Sequence, residues 1–455
     1  MRQVSTTFKF KSYITTGWYF QRYPKGFDKF PAAFYDEDIW KLTDEERALL
    51  APDTRYETEI AQKLDIGYRA WNKGFMIEAS AKTIESYHEA PSMADEYRFI
   101  RKYYGLVWAT NILLLRLITF HNPFKELGAY LKSRDATKEN IYKAHQEYTD
   151  YTSFQSPLVA SKPKVSVIIP TLNRYKYLLD AIKDLEHQTL PIHELIVIDQ
   201  SDKPDREFYN QFNIPIQLIV QEGRGQWLAR NAAIKAATGE WLLFFDDDSR
   251  VESNWVEEHV KGVDFFKADI SAGVSLSKVG DKIPENYAFF RWADQFDSGN
   301  ALVHKRVFQK TGLFDMQFDR MRMGDGEFGL RAYLHGFKSI SHPFAGRIHL
   351  KVNEGGLRQV GSWDAFRTGK MWAPMPIPSV TYYYRRYFSR LSIYMMLVQG
   401  IFRSAIPYKL KKYKFLLPLS LIFALLKSPL VIAQVYKSWK AASIMIAEGS
   451  KIEYI

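Results

Sequence analysis

Five consecutive large apolar residues, Trp241-Leu242-Leu243-Phe244-Phe245, run directly into three adjacent carboxylates, Asp246-Asp247-Asp248. A short continuous apolar run of this kind reads as a strand buried on both faces. Strands of that type belong to parallel sheets covered by helices. Three carboxylates at its end are expensive to gather, because like charges at close range repel and raise one another's pKa. A divalent cation removes the penalty, and such a hard-oxygen site suits magnesium or manganese. The same triplet also reads as a solvated turn or a helix N-cap, where Asp is common.

The stretch before the triplet alternates strand and helix patterns. Val165 to Ile169 reads as a first buried strand stopped by Pro170. A helix follows in which Leu178, Ile182 and Leu185 recur on one face. A second strand, Leu195 to Ile198, ends on Asp199, and a third, Ile216 to Val220, precedes the turn at Gly223 and Gly225. The next helix runs through Ala229-Arg230-Asn231 to a stop near Gly239. In open α/β sheets ligands bind beyond the carboxyl ends of the strands, and Pro170, Asp199 and Asp246 all stand at such ends. Position, more than composition, marks the triplet as a site.

With 455 residues, 46% hydrophobic and 15% aromatic, the chain can bury a full core with additions. It has no cysteine, which excludes disulfides, zinc-thiolate sites and thiol nucleophiles, so any metal is held by oxygen or imidazole. Lys9 and Lys11 precede Arg22 without an apolar stretch of signal-peptide character, and a cytoplasmic enzyme is expected. Residues 1–160 are rich in Tyr, Lys and Glu, with a helical apolar stretch from Val107 to Phe120 broken by Asn111 and Arg116, and carry no recognisable chemistry. Pro157 and Pro163 mark the boundary to a catalytic unit over 161–377. The net charge is +11, and from Ser379 onward twelve Lys or Arg face only Glu448 and Glu453. This tail, 378–455, is interleaved with apolar runs at Leu391 to Phe402 and Phe415 to Ala433. That pattern suits an anionic membrane surface better than nucleic acid, for which no binding motif is present. Lys427, Pro418 and Pro429 favour in-plane or protein-packed helices over a span, since a central lysine costs roughly 2.5–3.5 kcal/mol on insertion scales. Oligomeric state is not legible.

Residues 163 to about 350 resemble a family 2 glycosyltransferase of the GT-A fold. The resemblance rests on Pro170-Thr171-Leu172-Asn173-Arg174, Asp199, Ala229-Arg230-Asn231, Asp246-Asp247-Asp248, Ser298-Gly299-Asn300 and Gly324-Asp325-Gly326-Glu327-Phe328-Gly329-Leu330-Arg331, in that order. It covers under half the chain. It implies a mostly parallel sheet flanked by helices, preceded by a mainly helical region and followed by the basic helical tail.

The resemblance also implies roles. Asp246 and Asp248 would serve the metal and the donor diphosphate, with Asp247 available for donor hydroxyls. Asp199, Pro170 and Thr171 would line the base and ribose pocket, with Asn173 and Arg174 beside them. Gln200 stands where the family often keeps a second acid, which leaves the base open. Arg230 reads as a contact to phosphate or sugar, or as an ion-pairing helix residue. Transfer to a hydroxyl needs a general base. Asp325 matches that position, with Gly324 replacing the family's usual Glu. It also reads as a helix N-terminal acid, with Glu327 and Arg331 an i,i+4 pair. His349 matches a third metal ligand, with His342 its rival. Gly355 and Gly356 read as a loop that brings Arg358 to the diphosphate, and Trp363 or Trp372 as a stacking platform. Asn300, Glu327, Arg358 and Trp363 are thus the acceptor and loop candidates.

The resemblance implies inverting, metal-dependent transfer from a nucleoside-diphosphate sugar to a hydroxyl, and the basic, apolar tail points to a glycan or lipid-linked acceptor in surface polysaccharide assembly at the inner face of the plasma membrane. The Gln and Arg-Trp signature of processive synthases is absent after Asp325, so one sugar per encounter is expected. A sugar-1-phosphate nucleotidyltransferase would want a Gly-rich basic loop after the first strand, and a non-catalytic membrane or nucleic-acid module would not need both the triplet and Asp325.

Overall fold

The computed structural model describes residues 7–455 apart from 16, 36–38, 40, 87–88, 278, 353, 357–369 and 406–416. Side chains are described throughout that range except at 400–405 and 417–425. The N-terminal region is mainly helical, with α1 (Glu59–Asn72), α2 (Met93–Tyr104), α3 (Leu106–Ile118) and α4 (Pro123–Lys132).

The central region begins with β1 (Val165–Thr171), α5 (Tyr175–Glu186), β2 (Glu194–Asp199), β3 (Ile216–Val220), α6 (Gln226–Ala236) and β4 (Trp241–Phe245). These match the expected alternation to within a few residues. β1 continues through Pro170 instead of stopping there. Thr171 turns its carbonyl to β2, where Gln200 N–H bonds it at 3.0 Å. Pro170 therefore faces the β4 side, and that pairing has already ended at Ile168 opposite Phe244. No ladder bond is lost to the missing N–H. α5 buries Leu178, Ala181, Ile182 and Leu185 against the sheet, as their spacing predicts.

The second half adds β5 (Ser249–Val251), α7 (Trp255–Phe265), β6 (Ile270–Leu276), β7 (Arg291–Trp292), β8 (Asn300–His304), α8 (Gly324–Leu334) and β9 (Ser339–His349). The strand order is β3-β2-β1-β4-β8-β6-β9-β5, with β7 also pairing β9. The β3, β2, β1 and β4 neighbours are parallel, and so are β6 and β9. The β8 ladders to β4 and β6 and the β9 ladders to β5 and β7 are antiparallel. The sheet is thus mixed, and the expected mostly parallel character belongs to its first half.

The tail forms α9 (Pro378–Tyr387), α10 (Arg390–Ala405) and α11 (Leu417–Glu448). Among the described residues no helix is long and apolar enough to cross a membrane. The end of α11 is stitched to the central region: Ala442 and Met445 enter its core, and Lys451 N–H donates to Asp315 at 2.9 Å.

Trp18, Tyr19, Phe20 and Trp71 of the N-terminal region belong to that same core. Trp71 Nε1 donates to the Trp292 carbonyl at 2.8 Å, and Trp292 Nε1 donates back to Ile77 at 2.9 Å. α8 is gripped from both flanks, because Tyr19 and Tyr383 hydroxyls both bond the Gly326 carbonyl, at 3.0 and 3.3 Å.

Candidate functional site

Three chain segments converge beyond the carboxyl ends of β1 and β4. The first is the triplet after β4. The second is the end of β9, which a β-bulge between His342 and Gly346 re-aims so that His349 pairs with Ser249, next to Asp248. The third is the start of α8, which carries Asp325. They enclose a cleft of about 310 Å³ lined by Pro170, Arg174, Arg230, all three aspartates, Asp297, Asp325, Arg347 and His349.

Each aspartate has a different neighbourhood. Asp246 is bracketed by two guanidiniums, Arg230 Nη2 at 2.8 Å on one oxygen and Arg347 Nη1 at 2.7 Å on the other. Burial alone would push its pKa up, but the two arginines outweigh that and hold it well below the usual carboxylate range. Asp247 accepts from the Thr171 hydroxyl at 2.8 Å and from Arg174 Nη1 at 3.0 Å, so it ties the triplet to the end of β1. Burial dominates there and pushes its carboxyl up to about 7. Asp248 meets His349 Nε2 at 3.2 Å and Arg174 at 3.3 Å. Burial opposes its ionisation, yet the His349 contact keeps its pKa below the ordinary value.

Asp246, Asp248 and His349 each offer one ligand atom, all within 4.8 Å of one another. Two carboxylates and an imidazole fit manganese or magnesium. Both Asp246 oxygens are engaged by arginine, while Asp248 Oδ1 and His349 Nε2 face each other at 3.2 Å and Asp248 Oδ2 is met by Arg174 and Val352 N–H at 3.3 Å. His342 is excluded as the rival: it is fully buried, its Nε2 donates to the Glu258 carbonyl at 2.9 Å, and its Nδ1 accepts from Phe344 and Ala345 N–H groups.

Asp325 lies apart from this cluster, accepting from Ser298 N–H at 3.2 Å. Burial and the nearby Asp297 carboxylate push its pKa up to about 6. A Cβ at Gly324 would run into the Trp227 ring, which explains why glycine occupies the place of the family's usual acid. α6 has Gly225 at its N-cap in place of a capping side chain, and Asp319 supplies the cap from outside, accepting from Trp227 N–H at 3.0 Å. That fixes Arg230 toward the cleft. Its Nε and Nη2 bond the Ser298 carbonyl, while buried Nη1 has no partner.

The remaining expectations divide. Asp199 is fully buried and accepts from Tyr175 and Tyr209 hydroxyls at 2.6 and 3.0 Å. Gln200 bonds Gln221 at 2.6 Å and the backbone of Gly225, bracing the glycine turn. Asn173 is exposed and bonds Asp202 at 2.7 Å. Two acceptor candidates do not face the cleft. Asn300 is fully buried and holds Trp255, His259 and the carbonyls of Val274 and Ala345 together. Glu327 is fully buried, bonded by Arg331 at 2.9 and 3.0 Å and by Tyr387 at 2.6 Å. Two residues along a helix point to opposite sides, so Glu327 cannot share the cleft with Asp325. Arg358 and Trp363 lie outside the described residues. Trp372 is exposed and faces Lys437 of α11.

Sequence reasoning missed Arg347 and Asp297. Arg347 is 3% exposed and bridges Asp246, Ser249, Ser275 and Asp297. The period of a strand offered the signal, because Arg347 shares a face with His349. Gly355 and Gly356, both at positive φ, lie against the end of β1, where Gly356 N–H bonds Leu172 at 2.7 Å. Arg174 holds this segment through the carbonyls of Val352 and Glu354.

An α/β sheet with an acidic, metal-fitting cluster at its carboxyl edge and a separate carboxylate of raised pKa has the layout of a catalytic ligand crevice. Residues 166–318 match the profile of the family described as Glycosyl transferase family 2, and the central region is a family 2 glycosyltransferase domain. The chain is similar to the uncharacterized glycosyltransferase YwdF of Bacillus subtilis (strain 168), 25% identical over 185 residues, which are 37% of this chain and 68% of that protein. It is 28% identical over 114 residues to the poly(ribitol-phosphate) beta-N-acetylglucosaminyltransferase TarS of Staphylococcus aureus (strain Mu50 / ATCC 700699), covering 24% of this chain and only 20% of that one. Among solved structures, S. aureus TarS 1–349 with UDP-GlcNAc aligns with a TM-score of 0.37 and 18% identity, covering 61% of this chain and 81% of that one.

Proposed function

We propose that the protein transfers a single sugar, with inversion, from a nucleoside-diphosphate donor to a hydroxyl of a surface glycan or its lipid-linked precursor. The observation that carries this reading is the convergence on one cleft of the Asp246, Asp248 and His349 group with Asp325, which is set apart and has a raised pKa. Asp325 takes the acceptor proton, the freed oxygen bonds to the anomeric carbon, and the bond from that carbon to the diphosphate breaks with its electron pair leaving on phosphate. Asp248, His349 and Asp246 would hold a divalent cation, which supplies positive charge for the departing diphosphate. Arg230, with an unpartnered Nη1, stands on the same wall. Beside Asp325, away from the triplet, lies a second cavity of about 300 Å³ whose walls include Val274, Pro284, Tyr287, Gln295 and Phe296. We place the acceptor there.

The metal assignment is tested by Asp248→Ala. Titration calorimetry of UDP and GDP with manganese is expected to show affinity falling at least about as far as the 10–100-fold typical of losing a supporting group of a metal site. Unchanged affinity would remove Asp248 from the ligand set.

A membrane-surface location at the cytoplasmic face finds support in α3 and α4 more than in the tail. Val107, Ile118, Phe120 and Phe124 are 72%, 71%, 97% and 87% exposed. Between Gly105 and Arg134 the one acid, Glu126, is buried against Arg116, while Lys125, Lys132 and Arg134 remain exposed. Burying a Phe side chain is worth about 1.5–3 kcal/mol. The double variant Phe120→Ser, Phe124→Ser is therefore expected to lose at least about tenfold in flotation with phosphatidylglycerol vesicles. Equal flotation would acquit this hairpin.

A further inference from the structure

Another cavity, of about 700 Å³, is larger than the cleft just described and lies elsewhere. It opens at the junction of the N-terminal region with residues 285–294, and its volume falls within the roughly 300–1,000 Å³ of small-molecule sites. Its walls combine the half-buried rings of Tyr104, Tyr142 and Tyr287, backed by buried Trp18 and Trp71, with charged groups of both signs. Lys11, Lys138 and Arg291 stand against Glu139, Glu285 and Asp294.

Two of these cations are buried, and each lies over an aromatic ring with Asp294 as its nearby carboxylate. Lys11 is 3% exposed, with no salt bridge within 4.0 Å among the described residues, and Asp294 is the carboxylate whose charge acts on it. It stands 3.5 Å from the centroid of the Trp18 ring. Burial pulls its pKa down to about 7. Arg291 is 2% exposed and lies over Trp71 at 4.3 Å. Its Nε has no acceptor, and its one carboxylate contact, to Asp294, is a long 3.4 Å. Burying a cation with so little compensation is costly, and a ligand rich in oxygen offsets that cost.

We infer that this cavity is a saccharide-binding site that holds sugar residues of the acceptor remote from the reacting hydroxyl. The half-buried rings of Tyr104, Tyr142 and Tyr287 offer aromatic surface to the apolar faces of pyranose rings, and the mixed charges offer both donors and acceptors to hydroxyl groups. Lys138 and Arg291, with Lys11 only partly charged near neutral pH, do not outweigh the three carboxylates, so no positive field selects a polyanion and the ligand is a neutral oligosaccharide. The link to the reaction is Tyr287, which lines both this cavity and the one beside Asp325. Its hydroxyl bonds Gln295 at 2.8 Å, and the stretch Asp294-Gln295-Phe296-Asp297 passes from the first cavity to the second. The inference rests on the glycosyltransferase reading for the identity of its ligand as acceptor. It gives the N-terminal region a task, the reading of glycan length.

The test is tryptophan fluorescence of the full chain, titrated with neutral oligosaccharides of one to six residues drawn from gluco-, galacto-, manno- and rhamno- series. Saturable quenching is expected in at least one series, with affinity rising at least tenfold from the monosaccharide to the tetrasaccharide. Lys11→Met removes the ammonium from the wall, and Asn286→Trp fills the half-exposed mouth. Both variants, checked by thermal melting, are expected to lose at least tenfold in affinity for the longer chains. No quenching by any series, or equal affinity in wild type and in the folded variant of either kind, overturns the inference. Hydrolysis of UDP- and GDP-sugars by the wild-type protein is followed separately. Its absence with quenching intact counts against the transferase reading, whereas its presence without quenching counts against the cavity.

Discussion

Asp325→Asn is expected to lower the transfer rate by roughly 10³-fold, within the 10²–10⁴ range that a positioned general base contributes, while leaving affinity for UDP or GDP within about twofold. The amide keeps the hydrogen bond from Ser298 N–H but cannot take a proton from an acceptor hydroxyl. Because burial and the neighbouring Asp297 push this carboxyl up to about 6, its pH dependence is displaced from that of an ordinary aspartate. The base is active when ionised. The rate is therefore level above about pH 7, falls as pH drops through about 6, and declines about tenfold per unit below 5. Single-turnover kinetics over pH 4.5–8 with a competent donor and acceptor pair checks both parts. Wild-type turnover in the Asn variant would remove Asp325 from the chemistry, and an acid limb centred near 4 would show that neither burial nor Asp297 raises the pKa of this carboxyl.

The first half of the sheet was legible because β1, β2 and β4 are buried on both faces along nearly their whole length and read as largely apolar runs ending in a polar punctuation, while β3, at the sheet edge, is partly exposed and was marked by its apolar residues and the glycine turn after it. β8, β6 and β9 lack that signal. β9 carries Ser341, His342 and Arg347 along its length, and its irregularity between His342 and Gly346 breaks any simple period. The site was legible at its chemical groups and not in the way they face. Motif order placed Asp325, Asp246, Asp248 and His349 together, and the structure brings them to one cleft. The same order carried Glu327 and Asn300 along, although a two-residue step on a helix turns Glu327 to the core. The alternative Glu327–Arg331 pair is the observed one. The N-terminal cavity was not legible at all. Lys11, Trp71, Tyr142 and Arg291 are far apart in sequence, with no local pattern, and become neighbours through packing of one region on the other.

Arg347 is the second position where a large effect is expected, and it operates through charge balance in the cleft wall. One guanidinium neutralises both Asp246 and Asp297, at 2.7 and 3.1 Å, and also bonds Ser249 and Ser275. Arg347→Met fills similar volume but leaves two carboxylates facing each other with Arg230 alone on Asp246. Breaking a fully buried pair costs about 3–5 kcal/mol. Asp246 and Asp297 keep 25% and 33% exposure, and water in the cleft screens them. A loss of about 2–3 kcal/mol is therefore expected, read from the urea midpoint at constant m. Asp297→Asn in the same background removes one of the two stranded charges and should recover part of that loss, a coupling of about 1 kcal/mol in a double-mutant cycle. Additive effects would show that Arg347 and Asp297 do not support each other. The carboxylate repulsion released in Arg347→Met also raises the proton affinity of Asp246, so the variant should bind manganese less tightly at pH 6 than at pH 8 by a wider margin than wild type. Equal pH margins would place the function of Arg347 in packing alone.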